Sequence, residues 1–441
     1  MKERGKLRWL LFSVLLLAGL CAGLAWYGAG SQTVVAQPDE QYVVLAWNDL
    51  GMHCYNASFQ ELGVLPPWNT LWAQVVRIGD PPEIITQGIR LEFRIEDNTY
   101  SAGKTDFWET SPYAGVQNAQ WLFDLSNPLP QNEGLTGTRL SGDMEVRGDF
   151  FIAEGIPLTE YRDSQPTVRY PYMLAEIVVY QEGTGQELAR TRPVAPVSTE
   201  MHCDVCHYDN GPGNEGIATG VVERNILTKH DRENMDEYPA EYPGSLMSQR
   251  PVLCAKCHPS NALPDVQSVM DGPHMSEALH EKHAEEGVGS TLEACYYCHP
   301  GPQTQCLRGV MATKHGMVCS DCHGTLQQVA QNPNPWENEP TCSDTDCHDS
   351  GAYDQDQPLY RFSRGHGGIY CEACHDSTHA VAPSREPNDA IKFIGWQRYS
   401  GPLSRCSVCH DPWPTQPGPH GFFMGELRPY AYLPVILRDG P

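Results

Sequence analysis

The chain has 441 residues, 40% of them apolar, and 55 acidic against 30 basic side chains, a formal net charge of −25. That length is enough to bury a core of its own, and that charge excludes a nucleic-acid-binding role and repels anionic lipid. Seventeen cysteines and seventeen histidines stand out against this background.

Residues 1–36 read as a targeting segment. MKERGKLR carries four basic residues, an apolar run follows from Trp9 to Trp26, and Val34-Val35-Ala36 offers a small-residue cleavage site. Cleavage after Ala36 is the first expectation; it removes four basic residues and one acidic residue and leaves a net charge of about −28. The alternative is an uncleaved anchor, because the apolar run is barely long enough to span a bilayer. Either way the rest of the chain is expected outside the cytoplasm: periplasm, cell surface or secreted.

Residues 38–197 are predicted to be a β-rich domain, a sandwich of short strands. The runs Tyr42–Trp47, Gly88–Glu96, Met144–Ile152 and Met173–Tyr180 are strand-like, and clusters of Asn, Pro, Gly and Asp separate them.

Residues 198–425 are differently made. Six times the chain writes Cys-x-x-Cys-His: Cys203/Cys206/His207, Cys254/Cys257/His258, Cys295/Cys298/His299, Cys319/Cys322/His323, Cys371/Cys374/His375 and Cys406/Cys409/His410. A seventh copy, Cys342/Cys347/His348, has four residues between its thiols. The pattern is that of covalent c-type haem attachment: two thiols join the porphyrin edge and the next histidine reaches the iron. A zinc site needs four closing ligands and does not require the histidine, and a dithiol redox pair would not recur seven times. Seven c-type haems over some 200 residues leave too little chain for seven separate folds. The expected domain is therefore haem-packed and mostly irregular, with short helices, of which Met275–Glu286 is the best candidate.

The motif histidines are the expected proximal iron ligands, which leaves ten others. An electron-transfer haem needs a second strong ligand. The expected distal set is His230, His280, His283, His315, His366, His379 and His420, with His202 as first reserve and His274 as second. Nearby chain spacing guides this choice: His315 and His366 shortly precede motifs, and His379 and His420 follow them. His280 and His283 share a face if their segment is helical. Outside the motifs stand Cys21, Cys54 and Cys306. For the last two, a disulfide, two buried thiols, or a reactive thiol beside a haem all remain open. The tail, residues 426–441, contains the apolar stretch Leu427–Leu437, expected to pack on its own chain or dock on a neighbour.

The haem region resembles secreted multihaem c-type cytochromes, the periplasmic and outer-surface electron conduits. The likeness rests on the seven motifs and on Lys314-His315-Gly316, Gly365-His366-Gly367 and His379-Ala380. The wide motif is similar to one in small tetrahaem cytochromes of sulfate reducers. The resemblance implies extracytoplasmic electron transfer with redox proteins or an external acceptor as partners, and leaves self-assembly open. The alternative is a multihaem oxidoreductase with one open iron position acting on a small nitrogen or sulfur compound. Two further segments look like parts of other multihaem proteins without suggesting a chemistry: residues 47–54 (WNDLGMHC) and the stretch from Cys295 to Arg308 with the run CHPGPQTQCLRG (298–309).

Overall fold

The computed structural model describes residues 41–421, except 241, 243, 333, 336 and 343–358. The expected leader with Cys21, the thiol and histidine of Cys347/His348, and the apolar tail lie outside the described residues. Among the described residues no helix is long and apolar enough to cross a membrane.

The N-terminal region is β-rich, as expected, and is built on two sheets. The first contains β1 (Tyr42–Asn48), β3 (Leu71–Arg77) and β5 (Phe150–Ala153), with short strands at Glu83–Ile85 and Glu145–Arg147. The second contains β2 (His53–Cys54), β4 (Ile89–Ile95), β6 (Tyr172–Gln181), β7 (Glu187–Thr191) and β8 (Val194–Ser198), with Ser141–Asp143 at one edge. Pairing within both is antiparallel except β2 on β8. The expected run Met144–Ile152 is two short paired strands turning at Gly148, whose φ of +65° suits a tight hairpin.

Alternation explains how the sheets meet. In β4, Ile89, Leu91, Phe93 and Ile95 point inward while Arg90 and Arg94 face water. These residues share one core with Val44 and Ala46 of β1, Leu71, Ala73 and Val75 of β3, and Ala175, Ile177 and Val179 of β6. β1 departs from the half-buried pattern, since nearly all of it is buried. Its other face, Val43, Leu45 and Trp47, packs with Trp72, Val76, Ile152, Tyr370, Ala373 and Val408. The Cys/His region thus covers the outer face of the first sheet.

The later region is a succession of short helices and turns, as expected. The two longest are α1 (Val222–Asn234) and α2 (Met275–Glu285); α1 gave no strong signal in the sequence. Buried ion pairs fasten this region to the strands. Lys392 donates to Asp376 Oδ1 at 2.9 Å and to the Ala46 carbonyl of β1 at 3.0 Å. Arg308, 1% exposed, makes a two-pronged pair with Asp389 at 2.7 and 3.0 Å. The planar guanidinium suits such a paired, buried carboxylate.

Candidate metal centres

Each fully described Cys-x-x-Cys-His motif is a single tight turn. In four of them, the carbonyl of the first cysteine accepts from the histidine amide four residues on: His207 to Cys203 at 2.8 Å, His258 to Cys254 at 3.0 Å, His299 to Cys295 at 3.0 Å and His410 to Cys406 at 2.9 Å. Cys319–His323 and Cys371–His375 are one-turn helices. One turn of this kind holds two thiols and an imidazole in a fixed local relation.

No disulfide joins cysteines among the described residues. Cys54 and Cys306 are therefore neighbouring thiols and not the bridge that their number allowed, and the environment of Cys306 pushes it up to about 11, chiefly through burial.

The described motif thiols differ in exposure. Cys206 is only half-buried, and Cys322 is exposed, as are Cys203, Cys298 and Cys342. The reason is local. Cys206 follows Val205 and Cys322 follows Asp321, both of them exposed, so each thiol sits on a surface turn. Cys206 is set close enough to Cys298 for the two thiols to interact electrostatically, which brings the first and third motifs together. Neither Cys206 nor Cys322 belongs to a cage of metal-binding side chains, because among the described residues no group of three or more His, Cys, Asp or Glu gathers as one. Their expected role as covalent attachment points rests on motif spacing, which the tight turns preserve: the Cys206 amide donates to the Cys203 carbonyl at 3.3 Å, and Cys322 lies within the one-turn helix Cys319–His323.

The motif histidines do not stand alone. His207 faces His283 with ring centres 6.3 Å apart, and His258 faces His230 at 6.3 Å. His299 faces His280 at 6.1 Å and His323 faces His379 at 6.3 Å. His375 faces His420, and His410 faces His366, both at 5.9 Å. Two imidazoles bound to one metal through about 2 Å bonds, each ring centre roughly 1 Å behind its nitrogen, stand about 6 Å apart.

Ring hydrogen bonds sort the histidines further. Nδ1 is engaged by an oxygen in five of the facing rings: His207 with Asn214 Oδ1 (3.0 Å), His230 with the Tyr238 hydroxyl (2.8 Å), His258 with the Pro273 carbonyl (3.0 Å), His280 with the Ser276 carbonyl (2.6 Å) and His283 with the Leu279 carbonyl (2.6 Å). A bond at one ring nitrogen orients the other toward a metal. His53 and His202 are arranged the opposite way, with Nε2 against Asp49 (2.9 Å) and Glu200 (3.2 Å). His202 is thus set beside a carboxylate and not opposite a motif histidine. His274 occupies the N-cap of α2. His315 ends the helix Val310–His315 and is exposed; the wide motif's histidine, His348, lies outside the described residues.

Electrostatics favours the neutral, ligating form of the imidazoles. Exclusion of water around the rings pushes His299 and His375 down to about 4, with His280 and His420 respectively adding to the effect. Burial lifts the Cys374 and Cys409 thiols to about 12, unlike the lowered thiols of dithiol redox sites. Cys295 is held down at about 7 by a hydrogen bond with Cys319, so the third and fourth motifs touch through their thiols.

The donor set is paired imidazoles beside paired thiols. A porphyrin supplies four nitrogens itself and asks the protein for two axial ligands, so these residues fit it, whereas they do not make the closed site of a structural zinc. Compared with protein families and with curated proteins, the chain matches none.

The pairing partners are remote in sequence in most cases, and α2 serves two motifs. His280 and His283 sit on adjacent turns of it and face His299 and His207. An open cavity of about 620 Å³, bordered by Tyr296, Tyr297, Leu307, Met317, Val318 and Arg385, lies beside these motifs.

Proposed function

We propose that this chain is an extracytoplasmic electron-transfer protein with seven covalently bound c-type haems, most of them held by two histidines, attached to a β-sandwich domain. The observation that carries the reading is the set of six imidazole pairs, each joining one motif histidine to one histidine outside the motifs, 5.9 to 6.3 Å apart. Bound haem would supply a one-electron change at iron. The chain's contribution would be two strong imidazole donors at most of the irons, which would hold such a site with little rearrangement between oxidation states.

The ligand sets are His207/His283, His258/His230, His299/His280, His323/His379, His375/His420 and His410/His366. His348 with His315 is the set proposed for the wide motif. Sharing α2 between two sites supports close packing, since His280 and His283 lie about 5 Å apart along the helix axis. The acidic surface favours cationic partners or metal-bearing acceptors, and the targeting segment puts them outside the cytoplasm.

The test is production in a host that exports and attaches haem. Intact mass should show seven haems per chain. Electron paramagnetic resonance of the oxidised protein should show low-spin iron. A chain without covalent haem, or a dominant high-spin signal, overturns the reading.

A further inference from the structure

Two segments singled out in the sequence, 47–54 and 298–309, lie 250 residues apart, yet the fold brings them to one residue, His379. From the first, the Asn48 carbonyl accepts the Ser377 hydroxyl, and the Leu50 backbone is in hydrogen-bonding contact with the His379 ring. Gly51, at φ +76°, leaves so little room that a Cβ there would stand 3.3 Å from the His379 amide nitrogen. From the second segment, the amides of Arg308 and Gly309 both donate to the His379 carbonyl, at 2.9 and 2.8 Å. The Cys306 Sγ lies 3.6 Å from His379 Nδ1. Arg308 joins the two segments, donating from Nη1 to the Gly51 carbonyl at 2.6 Å.

Both segments are themselves anchored in the β-rich region. Asn48 ends β1, and its side-chain amide donates to Asn69 Oδ1 at 3.0 Å and to the Thr70 carbonyl at 2.8 Å. Glu200 accepts from the amides of Gln303 (2.9 Å) and Thr304 (2.6 Å), and Ser198 of β8 meets the Thr304 hydroxyl at 3.0 Å. The β-rich region therefore reaches the fourth motif's site through His379, which faces His323.

We propose that residues 47–54 and 298–309 form one clamp that positions His379, and that Cys306 is a positioning residue tuning how strongly this single histidine donates to iron. The proposal rests on the haem reading. His379 is set apart from the facing histidines described above by a sulfur neighbour at Nδ1, in addition to its Leu50 backbone contact. An acceptor at Nδ1 draws the ring proton, makes the imidazole a stronger donor and stabilises the oxidised metal. Removing the acceptor has the opposite effect on that site alone.

The experiment is spectroelectrochemical titration of the holoprotein, with electron paramagnetic resonance, for the wild type, Cys306→Val and Cys306→Ser. Cys306→Val should move one midpoint upward and shift one low-spin signal, with haem number and the other midpoints unchanged. Cys306→Ser should return that midpoint toward the wild-type value. Gly51→Ala should perturb the same low-spin signal, because it presses on the His379 backbone; if that variant does not fold, the Cys306 pair decides alone. Unchanged midpoints and signals in Cys306→Val overturn the proposal. Failure of the haem reading would show separately, as wild-type protein whose mass contains no haem.

Discussion

His280 and His283 stand one turn apart on the same helix and face different motifs, His299 at 6.1 Å and His207 at 6.3 Å. A helical spacing of three residues keeps both rings on one side while offsetting them along the axis. Two sites are thereby tied to one rigid element.

That arrangement makes each distal histidine individually testable. His283→Ala should convert one low-spin haem per chain to a high-spin or open site, and His280→Ala should do the same to a different one. His53→Ala and His202→Ala should leave every low-spin signal in place, because their Nε2 atoms are turned to Asp49 and Glu200. Quantified electron paramagnetic resonance of the four variants checks this.

Lys392→Met should destabilise the protein by about 3–5 kcal/mol, the usual cost of breaking one half of a buried ion pair. The variant strands the Asp376 carboxylate and frees the Ala46 carbonyl of β1. Urea unfolding followed by tryptophan fluorescence would show the fall; an unchanged midpoint would count against the pair's role.

Glu372 predicts a pH dependence. It lies inside the Cys371–His375 motif, fully buried, and neither carboxyl oxygen has a hydrogen-bond partner among the described residues. Burial, with Asp49 and Asp376 close by, pushes its carboxyl well above the usual carboxylate range. The folded protein then keeps a proton that the unfolded chain releases above about pH 4.3. Stability from this group is full below that pH and falls as pH rises toward the folded value. Glu372→Gln should flatten the decline that sets in above about pH 4.3, measured as unfolding midpoints.

Tyr370 joins the Cys/His region to the first sheet. Its ring sits 5.5 Å from both Trp47 and Trp72 and 5.6 Å from Phe150, and its hydroxyl accepts from Arg364 at 2.7 Å. Tyr370→Ala should cost about 3–5 kcal/mol. Because the aromatic cluster spans both regions, thermal unfolding monitored by strand signal and by haem absorbance should fall together. Loss confined to one signal would refute shared packing.

Much of this organisation is legible in the residues themselves. The strands Tyr42–Asn48, Ile89–Ile95 and Tyr172–Gln181 and the helix Met275–Glu285 declare themselves by local pattern. The expected strand Met144–Ile152 became a hairpin because Gly148 turns the chain, and α1 went unseen because its apolar face is thin. Motif turns and thiol spacing are short-range features, so the number of motifs and the local turn each makes follow from the sequence alone. How far each thiol is enclosed does not: Cys322 shares the spacing of Cys374 and Cys409 but is exposed where they are half-buried. Six of the seven expected distal histidines face a motif histidine in the fold; the seventh is His315, and the one motif histidine outside the described residues is His348.

Which histidine faces which motif was not readable. His379 follows His375 by four residues yet faces His323, and His366 precedes Cys371 yet faces His410. Such pairings depend on how helices and loops cross in space, and chain proximity carries no information about that. The same holds for the convergence of residues 47–54 and 298–309 on His379. A sequence states which donors are present and how a single turn arranges them. The packing of one segment against another, here through Arg308, Lys392 and the aromatic cluster around Tyr370, decides which donors meet.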